Sequence, residues 1–238
     1  MSVEQLVPRL VTAYGDALRT IALYGSAAGG EHLPTRSDIN VLVLVDALPL
    51  DALKRVGETS RQWVAAGNPP PLTMTVREWQ TSSDVFPMEY ADIFERHRVL
   101  HGALPTEGIA VSPRDLRLQV EQEALGKLLR LRQHVMAIGD DRERQVGLMT
   151  SSLSTIMAIF RGLVRLQAEP ADREYDDLAR HVSRLTNGDV PAPPFERVIA
   201  HRRGTALIAP ADVAGALADY LDGVERLVRY LDAHPASN

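Results

Sequence analysis

The chain contains no cysteine. That excludes disulfide frameworks, zinc–thiolate centres and cysteine nucleophiles, and it is the usage expected of a reducing, cytoplasmic setting. The chain also lacks any apolar run near the ~20 residues that a membrane-crossing helix needs. The longest, Ile39 to Val45, contains Asn40 and reads as a buried strand. The first residues, Met1 to Gln5, lack the basic-then-apolar order of a secretory leader, so no membrane association is expected. Positive charge is not in excess either: 26 Lys and Arg stand against 31 Asp and Glu, a formal net charge of -5. DNA is therefore not an expected partner, although net charge leaves a local basic groove open. There is no internal repeat and no low-complexity tract. What remains is an ordinary globular composition of 238 residues, enough for one large domain or two small ones.

Apolar periodicity predicts an amphipathic helix over 3–18, carried by Leu6, Leu10, Val11, Tyr14 and Leu18. A short strand over 20–24 runs into Gly25-Ser26, and 27–34 reads as a loop. The Val-, Ile- and Leu-rich run 39–45 has the composition of a central strand covered on both faces. A helix over 49–66 stops at Gly67-Asn-Pro-Pro-Pro71, and a third strand covers 72–76. A short helix follows over 77–82, and a fourth strand is expected over 88–93 after Pro87. Beyond the loop 102–111, Ser112-Pro-Arg-Asp115 has the form of a capping box. From there helices are predicted at about 113–138, 142–167, 173–186, 194–201 and 211–232. The second is apolar on more than one side, as the central helix of a bundle is. Two domains are expected, 1–105 and 112–238.

The chemistry concentrates at two places. A strand ending in Gly25-Ser26 lets backbone N–H groups and a hydroxyl approach a phosphate without a bulky side chain between them. Asp38 opens the central strand twelve residues after Ser26, and Asp38 and Asn40 share one strand face. A carboxylate and an amide thus stand beside a phosphate-gripping turn. Phosphoryl transfer needs little more: Mg²⁺ on carboxylates, phosphates on N–H groups and an in-line nucleophile.

The run Leu23-Tyr-Gly-Ser26, a spacer of ten residues, then Ser37-Asp-Ile-Asn-Val-Leu-Val43 resembles the signature of the DNA polymerase β-like nucleotidyltransferase superfamily. It is most similar to small bacterial and aminoglycoside nucleotidyltransferases with a C-terminal helical domain. The resemblance covers roughly residues 10 to 102. It implies an α+β fold: an α/β nucleotidyltransferase domain with a mixed sheet, followed by an all-α bundle. It implies Gly25, Ser26, Ser37 and Asn40 as nucleotide-binding residues and Asp38 as the first metal-binding carboxylate. Glu89 is the expected third acid, binding metal or acting as general base, with Asp92 its rival; on a strand the two would point to opposite faces. The implied metal is Mg²⁺, with Mn²⁺ as an alternative, held by Asp38, Asn40 and Glu89. The implied partners are an NTP, ATP first, and an unidentified acceptor hydroxyl on a small molecule or a protein.

Asn40 departs from the family pattern, which places Asp or Glu there. An amide oxygen can coordinate a divalent ion but brings no charge. Weak metal binding, a one-metal site, or nucleotide binding without turnover follows from that substitution. The expected function is therefore transfer of a nucleoside monophosphate, or else a degenerate nucleotide-binding, regulatory or antitoxin-like module. Other charged groups read more simply. Arg36 suits a solvated loop, and His97 and His101 have no third zinc ligand. Lys127, Arg130 and Arg132 suit a solvated helix face. Asp176 and Asp177 offer charge to a cationic substrate but nothing further, and Met149, Met157 and Phe160 suit a core. A homodimer and a monomer are equally compatible with the pattern.

Overall fold

The first helix, α1 (Val3–Tyr14), is shorter than its periodicity predicts. Gly15 takes φ +55°, a left-handed conformation that ends the helix, and one 3₁₀ turn (Gly15–Ala17) delivers the chain to β1 (Leu18–Tyr24). The computed structural model describes residues 1–25, 28, 39–171 and 173–234. Ser26, the greater part of the expected loop, Arg36, Ser37 and Asp38 lie outside the described residues. The chain divides into two compact units, Met1–Ser112 and Pro113–Asn238.

In the first unit, β2 (Asn40–Val45) is followed by α2 (Leu50–Ala65), β3 (Leu72–Thr75), α3 (Val76–Thr81), α4 (Pro87–Glu95) and β4 (His97–Gly102). The mixed sheet has the order β3-β2-β1-β4; β1 pairs antiparallel with β2 and β4, and β2 pairs parallel with β3. β2 is central and covered on both faces, as its composition predicts. Val41, Val43 and Val45 pack with Ile21 and Leu23 of β1, Leu6, Leu10 and Tyr14 of α1, and Trp63 of α2. Leu42 and Leu44 face the other way, onto Met74, Trp79, Tyr90 and Ile93.

The expected strand over 88–93 is instead the helix α4. Pro87 sits in its first turn, where a missing N–H costs nothing. Met88, Tyr90 and Ile93 are buried, and Tyr90 reaches Phe94 one turn on. Alternating and helical apolar spacing are hard to tell apart over so short a run, and packing decides. The fourth strand is β4, which carries no apolar alternation because it is an exposed edge. Its N-terminal charge, His97 and Arg98, suits an edge that must not recruit another strand.

The second unit consists of α5 (Pro113–Ile138), α6 (Arg142–Leu166), α7 (Tyr175–Leu185), α8 (Pro193–Arg203) and α9 (Val213–Ala233). α6 packs against each of the other four. Its Met149, Leu153, Ile156, Met157, Phe160 and Leu163 are buried. Among the described residues α6 is the one helix long and apolar enough to cross a membrane, and half of its most apolar window is buried inside the protein, as in a core helix. Phe195 sits edge-on between Phe160 (4.9 Å) and Tyr220 (5.5 Å), and the Tyr220 hydroxyl meets Ser152 Oγ at 3.0 Å. The buried Arg117 of α5 donates to the carbonyls of Leu231 and His234 and pairs with Glu121, so a cation closes the negative end of α9.

Gly102 ends β4 at φ +69°, and a Cβ placed there would lie 1.8 Å from the Arg19 carbonyl oxygen. Neither the conformation nor the contact admits a side chain. Gly102→Ala is expected to lower stability by about 2–4 kcal/mol, read as a drop in denaturation midpoint with an unchanged m-value.

Candidate functional site

β1 ends at Tyr24 just where β2 begins at Asn40, and the two residues are directly paired. On the other side Tyr24 is paired with His97 of β4. Directly opposed residues of antiparallel strands share a face, so Asn40, Tyr24 and His97 form one polar row across three strands. It lies on the Leu42 and Leu44 face, the side that α3 and α4 cover.

The row is fixed from several directions. The Asn68 side chain accepts the Ile39 N–H at 3.2 Å and so holds the entrance to β2. Gly25 takes φ +71°, and a Cβ there would lie 3.4 Å from Asn40 Nδ2, so Gly25 and Asn40 are neighbours. The Gly25 N–H donates to the Arg96 carbonyl at 3.3 Å. That N–H is therefore already used. Gly25 itself presents a left-handed backbone with no side chain beside Asn40. His97 Nδ1 donates to the Ile93 carbonyl at 2.7 Å, tying the end of α4 to β4. His97 and His101 are engaged in β4 pairing with Tyr24 and Ile21, respectively.

α4 is seated by aromatic packing. The Trp79 and Tyr90 rings stack at 4.3 Å, and Phe94 meets both edge-on at 6.0 Å. The Tyr90 hydroxyl donates to the Trp79 carbonyl at 2.6 Å, and the Trp79 indole donates to the Pro105 carbonyl at 2.7 Å. On the helix Glu89 and Asp92 are three residues apart and therefore share a side. The strand-based expectation of opposite faces is corrected accordingly. Burial pushes the Tyr24 hydroxyl up to about 12, and the charges of Glu89 and Asp92 push in the same direction. Both acids thus act on the same phenol.

Glu89, Asp92 and the Asn40 amide are hard oxygen donors, the chemistry that suits Mg²⁺ or Mn²⁺. Among the described residues no three His, Asp or Glu side chains gather closely enough to hold a metal ion by themselves. Asp38, the first expected ligand, lies outside the described residues, as do Ser26 and Ser37. The acids once open to a cationic substrate are engaged within the second unit: Asp176 pairs with Arg203, and Asp177 with Arg173 at 3.2 Å. Sequence reasoning missed the roles of Tyr24, His97 and Asn68. Tyr24 and His97 become a row with Asn40 only through cross-strand register, which no local pattern encodes. Asn68 stood in plain view before three prolines, but as a helix stop.

No family profile and no curated protein sequence matches the chain. Among solved structures it is similar to spectinomycin adenyltransferase AAD(9) from Enterococcus faecialis, crystallised with ATP and spectinomycin, at a TM-score of 0.57. The chain has a nucleotidyltransferase fold. The likeness covers 93% of this chain and 97% of that one at 14% identity, which makes it a likeness of fold.

A phenol raised in the folded state stabilises the fold below its unfolded value near 10 and loses that contribution as pH rises through about 12. Tyr24→Phe is therefore expected to lose less stability than the parent between pH 10 and 12. Glu89→Gln with Asp92→Asn should bring one late-titrating tyrosine to lower pH in a phenolate absorbance titration. An unchanged titration would place both acids too far away to matter.

Proposed function

We propose that the chain transfers a nucleoside monophosphate, from ATP in the first instance, to a hydroxyl of a small-molecule acceptor. The observation that carries this reading is the meeting of Gly25, Asn40 and Tyr24 with the acidic side of α4 at one end of a nucleotidyltransferase sheet. The neighbour's ATP and spectinomycin suggest the donor and the class of acceptor.

In the reaction the acceptor oxygen attacks the α-phosphorus. The bond from that phosphorus to the bridging β-oxygen breaks, pyrophosphate leaves, and the acceptor proton passes to a carboxylate, Glu89 being the first choice. Gly25 and Ser26 would receive the terminal phosphates, with Ser37 as a further nucleotide-binding residue. Asp38, Asn40 and Glu89 would hold Mg²⁺, which when bound offsets the negative charge of the phosphates. α4 adds Asp92 to this set. With Asp38 it makes three carboxylates in place of two, which offsets the neutral amide at position 40.

A second reading rests on Asn40 itself: a nucleotide-binding or regulatory module without turnover. One assay separates the two. The protein is incubated with α-labelled ATP, Mg²⁺ or Mn²⁺ and a panel of aminocyclitols and aminoglycosides. Transfer that disappears in Asp38→Ala supports the enzyme; nucleotide binding with no transfer under either metal supports the module. Asn40→Asp, by adding a charge, is expected to tighten Mn²⁺ binding roughly tenfold, ~1.4 kcal/mol, by calorimetry. Unchanged affinity would remove Asn40 from the metal set.

A further inference from the structure

The outer face of α5 is apolar where a surface helix is ordinarily polar. Leu118, Leu125, Leu129 and Met136 are 65%, 47%, 47% and 77% exposed, while Leu116, Val120, Ala124, Leu128 and Leu131 on the opposite side are buried in the bundle. At about 100° per residue the four exposed side chains fall within a stripe about 40° wide running most of the helix. Among the described residues the other exposed large apolar side chains are fewer together: Leu50, Leu53 and Val64 on α2, the adjacent Val85 and Phe86, and the single Val99 and Leu207.

The stripe is symmetric along the helix. Leu118 and Met136 lie nine residues either side of Lys127, and Leu125 and Leu129 lie two either side. Lys127 points half a turn away from the stripe. The edges are symmetric too. Glu121 and Arg132 border one edge on opposite sides of this midpoint, and Gln122 and Gln133 border the other.

We propose that this face binds the same face of a second copy, with the two α5 helices antiparallel about a two-fold axis level with Lys127. Antiparallel pairing about that point brings Leu118 against Met136 of the second copy, and Leu125 against Leu129. It also brings Glu121 beside Arg132 of the second copy, twice, and Gln122 beside Gln133. The parallel arrangement sets Glu121 beside Gln122 and Arg132 beside Gln133 of the second copy, so the two charge pairs form only in the antiparallel one. Within one chain Glu121 accepts from Arg117 at 2.5 Å and Arg132 pairs with Glu225 at 3.0 Å. Both side chains keep over a third of their surface exposed, which leaves room for the second contact. One helix pair buries less than the ~1,600 Å² of a standard interface, so the dimer is expected to dissociate in the micromolar range.

The absence of cysteine makes the test clean. Sedimentation equilibrium of the full chain should show a monomer–dimer equilibrium, and Leu125→Glu with Leu129→Glu should abolish the dimer while leaving far-ultraviolet circular dichroism unchanged. Under mild oxidation Leu118→Cys and Met136→Cys should cross-link only when the two variants are mixed. Two copies of Leu118 in this arrangement stand about 27 Å apart and cannot bridge. A monomer at all concentrations, a dimer indifferent to the glutamates, or cross-linking of Leu118→Cys to itself would each overturn the proposal. A stripe that instead takes a different protein leaves the purified chain monomeric and overturns it equally.

Discussion

The stack of Trp79 on Tyr90 governs the geometry of the first unit. It joins α3 to α4, and both rings rest on the sheet face formed by Leu42 and Leu44. Both polar atoms of the pair are satisfied by backbone carbonyls, so the aromatic surface is buried without an unpaired donor. Fixing Tyr90 fixes the rotation of α4 about its axis, because Tyr90 and Ile93 must face the sheet. Glu89 and Asp92 are then turned to the side where Tyr24 lies. The acidic wall of the candidate site is in this sense a by-product of core packing.

The β2 strand shows how much can be read from residues alone. Its unbroken Val and Leu content announces burial on both faces, and the structure buries both. The five helices of the second unit are equally legible, because α5, α6 and α9 are long and the shorter α7 and α8 are bounded by clear glycine and proline stops. α4 and β4 were not legible, for opposite reasons. α4 is too short for its period to distinguish helix from strand, and β4 is an edge whose residues look like surface. The exchange matters at the site. Gly25 and Asn40 were found by motif and are neighbours. Glu89 was found with the wrong relation to Asp92. Tyr24 and His97 became partners of Asn40 only through sheet register.

That correction alters the electrostatics. Read as a strand, 88–93 offers one carboxylate to the site, and the neutral Asn40 leaves it poor in charge. Read as a helix, it offers two acids on one side, and both disfavour ionisation of the buried Tyr24 phenol. The negative charge on this side of the sheet sits on α4, in Glu89 and Asp92, rather than at position 40 of β2.

The two indoles have a consequence for anyone following this protein in solution. Both tryptophans, Trp63 and Trp79, belong to the first unit, both are fully buried, and each donates to a proline carbonyl. The helical unit has none. Intrinsic tryptophan emission therefore senses only the sheet unit, one indole beneath each face of the sheet, while backbone circular dichroism is weighted toward the helices. Divergence of the two signals during unfolding would mark the two units melting separately, with no label added to the chain.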